Sequence, residues 1–160
     1  MSFQTTKSRS GNYTAHVSGS LIIFEFHRQA SAADINEMTT LRKSVATRTG
    51  RISTISVAPG AVERLDEDAR AAIKAQQEAT AAFTLATSVV ITGGSLSAMV
   101  VRTIVSGVHA LSRSKIPSKT FSSVAESLAW LQSLPDQLPD VKLIKPAALP
   151  AIGTPTAKAA

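Results

Sequence analysis

Polar and apolar residues alternate from Asn12 to Val17. A turn-like Ser18-Gly19-Ser20 follows, and Leu21 to Phe26 is then rich in branched and aromatic side chains. Two strand-like runs on either side of a glycine-containing turn are typical of a β-hairpin. We therefore predict that the ordered part of the chain begins with two antiparallel strands.

The segment after the hairpin has the periodicity of a helix. Ser31 with Asp34 three residues later is an N-cap signature, and Gly50 marks the end of the segment. Between them, apolar positions recur at helical spacing. This stripe runs through Ile35, Met38, either Leu41 or Arg42, and Val45.

The remaining chain alternates between strand-like and helix-like segments. Strands are predicted at 51–57, where Ala58-Pro59-Gly60 ends the run, at 85–91, and at 115–121, where Pro117 favours an edge position. Helices are predicted at 62–82, at 96–112, and after the capping box that begins at Ser123. Alternating strands and helices build a mostly parallel sheet. We predict an α/β fold with a mostly parallel mixed sheet of about five strands, an N-terminal antiparallel hairpin and about four helices.

Segments at both ends differ in composition from this central part. Residues 1–11 are rich in Ser and Thr and are expected to be a flexible N-terminus. Prolines recur from residue 135 onward, so residues 134–160 are expected to form a mostly extended Pro- and Ala-rich tail. Within the tail, Val141 to Ile144 is the segment expected to dock on the α/β domain. The α/β domain itself is predicted to span 12–133.

Composition limits the classes of function. The chain has 160 residues, 17 Lys and Arg against 11 Asp and Glu, and no cysteine, with a formal charge of +6. One domain of this length is expected. The basic residues are scattered and aromatic residues are few, so we expect no nucleic-acid partner. The lack of cysteine removes thiol chemistry and Cys-based metal sites and favours a cytoplasmic location. The longest uncharged stretch, 79–101, includes a predicted strand and turn, so no transmembrane segment is expected.

The C-terminal half, Thr87 to Gln132, resembles STAS-like domains of the anti-sigma-factor antagonist type, particularly their SpoIIAA-like bacterial relatives. The resemblance rests on the apolar strand Val89-Val90-Ile91, Arg102 in a long helix, Ile116-Pro117, and the final helix with Glu126 and Trp130. It extends over about residues 12–132 and implies a STAS-like fold. Such domains usually carry a phosphorylatable Ser in an Asp-Ser-Ser-Gly-like segment. The corresponding stretch here, Ser56 to Gly60, has no Asp beside Ser56, so the sequence departs from that motif and Ser56 is retained only as a candidate switch.

No catalytic constellation is evident along the chain. His16, His27 and His109 have no motif around them and are expected to be surface or packing residues, and no metal or cofactor site is predicted. Thr92-Gly93-Gly94-Ser95 matches no nucleotide-binding motif, and a tight turn with an N-cap is the favoured interpretation. The same turn is also an alternative anion site, because it follows the carboxyl end of a predicted strand. The residues of a ligand or switch loop would then be Ser56, Gly60, Gly93, Gly94 and Ser95.

The predicted helix at 96–112 has an apolar strip opposite its core face, where a solvent-facing helix should be polar. Either the tail covers this strip or a partner does. We expect a non-enzymatic regulatory or scaffold domain that binds a protein partner or a second copy of the chain. The alternative is a module that binds a small anionic or lipid-like ligand, since SpoIIAA-like domains also look similar to lipid-carrying CRAL-TRIO folds. The residues expected to contact the partner are Ala98, Val101, Arg102, Val105 and His109.

Overall fold

Six strands form one mixed sheet, and their order in the sheet is their order in the chain. The computed structural model describes residues 2–59, 66–92 and 115–152. The first three strands are antiparallel neighbours, and the third to the sixth run parallel to one another. The strands are β1 (Gln4–Lys7), β2 (Tyr13–Ser18), β3 (Leu21–Phe26), β4 (Ile52–Pro59), β5 (Thr84–Thr92) and β6 (Ser118–Phe121).

Four helices lie within the described ranges, and their order confirms the predicted α/β fold with its antiparallel N-terminal end. They are α1 (Ala32–Thr49), α2 (Glu67–Thr80), α3 (Val124–Ser133) and α4 (Pro139–Lys142), followed by a 3₁₀ turn at Pro146–Ala148. The helix predicted at 96–112 lies outside the described residues. The strand predicted near the end of the chain is present as β6, which occupies the predicted edge position.

Each face of the sheet has its own buried cluster. Because side chains alternate along a strand, Ile22 and Phe24 of β3 face α1, whereas Leu21 and Ile23 face the opposite side. On the α1 side the strand residues pack against the apolar stripe of that helix. On the other side they pack against α3 and the C-terminal segment, through Leu128, Leu131, Val141 and Ile144.

The first helix begins at the predicted cap. The Ser31 backbone N–H donates to Asp34 Oδ2 at 2.9 Å, and the Asp34 backbone N–H donates to Ser31 Oγ at 3.2 Å, which completes a capping box. Asp34 is buried and also accepts hydrogen bonds from Ser10 Oγ at 2.6 Å and Asn12 Nδ2 at 2.8 Å. Burial alone would raise the pKa of Asp34, but the hydrogen bonds from Asn12, Ser10 and Ser31 outweigh it and lower that pKa below its usual value.

The strand that the sequence did not predict is β1, which lies in the segment 1–11 expected to be flexible. It pairs with β2 in register, with Gln4 opposite Val17 and Lys7 opposite Thr14. The loop between β1 and β2 is held by the two hydrogen bonds from Ser10 and Asn12 to Asp34. The side chains of β1 are all exposed, so the strand carries no apolar pattern. Pairing with β2, the polar contacts of the loop and the packing of Phe3 against the cluster on the α3 side fix it instead.

The C-terminal segment docks as expected from its apolar residues. Val141 and Ile144 are buried in the cluster on the α3 side of the sheet. Gln132 Nε2 donates to the carbonyl oxygens of Val141 and Ile144, at 3.2 and 2.7 Å. Gln137 is also buried, and its Oε1 accepts from Ser53 Oγ at 3.1 Å. Leu149 and Ile152 also pack against this cluster, so the segment belongs to the packed structure, and residues 153–160 lie outside the described ranges.

Candidate functional site

The carboxyl ends of β4 and β5 meet at one edge of the sheet. Pro59, the last residue of β4, is the register partner of Thr92, the last residue of β5. Thr92 Oγ1 donates to the carbonyl oxygen of Ala58 at 3.3 Å, which joins the two ends. Crevices at the carboxyl edge of parallel strands are the usual ligand sites of open α/β sheets. β4 and β5 therefore end next to each other at this edge of the sheet, at Pro59 and Thr92.

Of the predicted ligand or switch loop, the structure describes only Ser56. This residue lies inside β4, as the strand predicted at 51–57 implied, and β4 continues to Pro59 instead of ending at Val57 as the Ala58-Pro59-Gly60 sequence suggested. Pairing with β5 continues through Ala58 opposite Ile91, and these backbone contacts outweigh the tendency of Pro and Gly to end a strand. Ser56 is therefore a strand residue, and its role as a ligand contact or switch stays a prediction. The other residues predicted for this loop, Gly60, Gly93, Gly94 and Ser95, lie outside the described residues.

The predicted partner surface also lies in a part of the chain that the structure does not describe. All five of its residues belong to the gap between 92 and 115. Their contact with a partner stays a prediction. These residues are Ala98, Val101, Arg102, Val105 and His109.

The sequence pattern left open whether Leu41 or Arg42 occupies the core stripe of α1, and in the structure it is Arg42. It is buried, with 7% of its surface exposed, whereas Leu41 is only half-buried. Its guanidinium carbon lies 5.2 Å from the ring centroid of Phe24, in a cation–π contact. Its Nε atom is buried and has no hydrogen-bond partner among the described residues.

The guanidinium of Arg42 has no carboxylate beside it within the described ranges. Burial lowers its pKa to about 10, and no opposite charge among the described residues counters this shift. At that value the group is still charged at neutral pH. A buried charge without a counter-ion is costly, and proteins normally pair such charges. Arg42 is therefore the electrostatic anomaly of the described structure.

The sheet surface next to this guanidinium is polar. Ser56 is the register partner of Phe24, so the two side chains lie next to each other on the α1 side of the sheet. Thr54 precedes Ser56 by two residues on the same face, and Thr87 is its partner on β5. A central strand covered by helices usually carries apolar side chains. Here the α1 side of β4 and β5 instead presents three hydroxyl-bearing side chains, and one of them, Ser56, is beside the Phe24 ring that Arg42 contacts.

A second polar group lies on the opposite side of the sheet, around His16. The Nδ1 atom of His16 is 2.9 Å from Thr5 Oγ1, and its Nε2 atom is 3.1 Å from Glu25 Oε2. A hydroxyl, an imidazole and a carboxylate in series are the groups that a hydrolase uses to activate a nucleophile. Sequence reasoning missed these partners because they lie on separate strands, 11 and 9 residues from His16.

The position of Thr5 indicates that the group of Thr5, His16 and Glu25 has a structural role. Thr5 lies on the exposed edge strand and is directly opposite His16 in the register of β1 and β2. Polar side chains opposite one another in antiparallel strands commonly pair in this way. His27 makes a similar contact, with Nε2 2.8 Å from Thr14 Oγ1. We interpret both contacts as structural pairs between neighbouring strands: Thr5 with His16 joins β1 to β2, and Thr14 with His27 joins β2 to the end of β3.

Two further features complete the description of the candidate sites. Within the described residues, no group of three or more His, Cys, Asp or Glu residues is placed to hold a metal ion. No helix in the same ranges combines the length and the apolar character that crossing a membrane requires.

Comparison of the chain with known protein families, with curated proteins and with solved structures finds no match.

Proposed function

We propose that this chain is a STAS-like regulatory or scaffold domain that acts in the cytoplasm by binding another macromolecule and not by catalysis. The observation that carries the proposal is the topology, in which antiparallel N-terminal strands continue into a parallel sheet with sequential strand order. A mostly parallel mixed sheet with an antiparallel N-terminal hairpin is what the resemblance to STAS-like domains implies. The resemblance also implies a regulatory role through protein contact.

The surface proposed for this contact is the apolar strip predicted from the sequence at 98–109. Its defining residues, Val101 and Val105, are one helical turn apart in the predicted helix. An apolar strip opposite the core face of a helix is explained by a partner that covers it. The simplest partner is a second copy of the chain.

The test is the oligomeric state of a charged variant. We expect the wild-type chain to form an oligomer in size-exclusion chromatography with light scattering, and Val101→Glu with Val105→Glu to be monomeric with unchanged circular dichroism. The matched control is Ala71→Glu with Ala75→Glu, which introduces the same charges at the same spacing on the exposed face of α2 and should leave the oligomer intact. A monomeric wild-type chain, or an oligomer that survives the first variant, contradicts self-association.

The second candidate function is binding of a small anionic or lipid-like ligand at the carboxyl edge of the sheet. It is favoured by the pairing of Pro59 with Thr92, because the carboxyl ends of β4 and β5 lie next to each other. A thermal-shift screen with nucleotides and lipids tests it. A ligand present at about 100 times its Kd stabilises the folded state by about 2.7 kcal/mol, and a screen without any shift speaks against this candidate.

A further inference from the structure

The polar residues around Arg42 point to a ligand of defined charge. A guanidinium that is taken out of water loses its hydration, and its contact with Phe24 returns only part of that free energy. The buried Nε atom has no acceptor in the described structure. The guanidinium therefore carries a full positive charge, and at least one of its buried donors, Nε, has no acceptor in the described structure.

The direction of α1 places this charge toward the carboxyl edge of the sheet. The helix connects β3 to the parallel strand β4, so it runs opposite to the strands and begins at their carboxyl ends. Long side chains on a helix lean toward its N-terminus. In agreement with this, the guanidinium of Arg42 lies over Phe24, which belongs to the carboxyl half of β3 (Leu21–Phe26).

β4, the strand next to Phe24, supplies a neutral hydrogen-bond donor and a partly exposed face through which a ligand can approach. Ser56 lies beside Phe24 on the same face, and its side chain is half-buried. Ala58, two residues closer to the strand end, is also half-buried, so this face of β4 is incompletely covered toward the carboxyl edge. A guanidinium together with hydroxyl donors is suited to an oxyanion, whose oxygens accept several hydrogen bonds.

We propose that Arg42 and Ser56 bind a small oxyanion of the phosphate class on the α1 side of β4, either free phosphate or the phosphate group of a small ligand. The anion supplies the counter-charge to the Arg42 guanidinium and accepts a hydrogen bond from its Nε and from Ser56 Oγ. This inference deepens the ligand-binding candidate above. It is independent of self-association, so failure of either leaves the other standing.

The test compares the folding equilibrium in chloride and in inorganic phosphate at equal ionic strength. For the wild-type chain, phosphate at about 100 times its Kd should shift the equilibrium about 100-fold toward the folded state. A parallel arm with glycerol 3-phosphate distinguishes free phosphate from a phosphomonoester. The Arg42→Met variant should lose the shift with either probe. In chloride it should be at least as stable as the wild type, because an apolar side chain replaces an uncompensated buried charge.

Arg48→Met is the matched control, since it removes the same charge from an exposed position of the same helix. It should retain the wild-type shift. If Arg42→Met does not fold, Ser56→Ala keeps the cation in place and should weaken phosphate binding about tenfold in isothermal titration calorimetry, in line with the loss of a hydrogen bond to a charged group. No shift of the wild type with either probe overturns the proposal. An equal shift in the wild type and Arg42→Met shows a general salt effect and also overturns it.

Discussion

Asp140 binds the turn between β2 and β3 through Ser20, a residue 120 positions earlier in the chain. Its Oδ2 accepts a hydrogen bond from the Ser20 backbone N–H at 2.7 Å, and Oδ1 and Oδ2 accept from Ser20 Oγ at 2.8 and 2.7 Å. Ser20 is buried, so these bonds are shielded from water. The contact fixes the C-terminal segment against the start of β3, next to the buried Val141.

Replacement of Asp140 by Ala is expected to destabilise the fold. The change leaves the buried backbone N–H and hydroxyl of Ser20 without their acceptor, and hydrogen bonds to charged groups contribute about 1.5–3 kcal/mol. Urea denaturation followed by circular dichroism measures the loss. Asp136→Ala, at an exposed position of the same segment, is the control and should be close to neutral. Equal stabilities for the two variants would contradict the role given to Asp140.

Gly19 should be intolerant of a side chain for two reasons. Its φ is +56°, and a Cβ atom placed there would lie 2.2 Å from Asp140 Oδ2. Gly11 also has a positive φ, of +78°, but a Cβ there would have no atom within 4 Å. Gly11→Ala should therefore lower the free energy of unfolding only through its strained backbone conformation, by about 1–2 kcal/mol, and Gly19→Ala should lower it further. In an Asp140→Ala background the extra cost of Gly19→Ala should shrink, and two additive substitutions would argue against the close approach.

Stability should fall in acid because of Asp34. Its pKa in the folded state lies below the usual value of 3.8, so its ionised form is favoured by folding. The resulting stability is fully present above about pH 4, the range of the unfolded pKa, and is lost as the pH falls through the lower folded pKa. Asp34→Asn should lower stability at neutral pH, and its stability should fall less steeply than that of the wild type as the pH drops below about 4. Urea denaturation across the acid range tests it, with the exposed Asp68→Asn as control. An unchanged acid limb in Asp34→Asn would exclude this carboxylate as its source.

The hydroxyl groups of Ser88 and Ser127 form a buried pair between β5 and α3, 2.5 Å apart. Removal of one hydroxyl leaves the other without this partner, so Ser88→Ala alone should cost about 1–3 kcal/mol. Removal of both leaves only apolar groups, and Ser88→Ala with Ser127→Ala should be closer to the wild type than the sum of the single variants. A double-mutant cycle in urea measures this coupling. Strict additivity would show that the pair contributes nothing.

The predictable part of the fold is the part with local patterns. The alternation in 12–17, the capping signals at Ser31 and Ser123, and the apolar runs each reflect contacts between near neighbours in the chain. The edge strand β1 has no such pattern, because its Gln-Thr-Thr-Lys side chains are all exposed. It is held by backbone pairing with β2 and by hydrogen bonds from its loop to Asp34. Neither interaction leaves a mark in the local sequence.

The candidate site was harder to predict for the same reason. Arg42 stood on the helical stripe, four residues after Met38, so periodicity could place it in the core. Its lack of a carboxylate partner depends on which strands face α1, and the sequence does not contain that information directly. Ser56 was selected through a resemblance, and its position beside Phe24 became evident only from the register of β3 and β4.

The docked C-terminal segment also bears on how the protein is made. Part of the buried cluster on the α3 side comes from Val141 and Ile144, near the end of a chain of 160 residues. A growing polypeptide exposes Leu21 and Ile23 of β3 long before these residues exist. The domain therefore reaches its final packing only after residue 144 has been synthesised, and a premature stop before residue 141 would yield a product with an uncovered apolar surface and a strong tendency to aggregate.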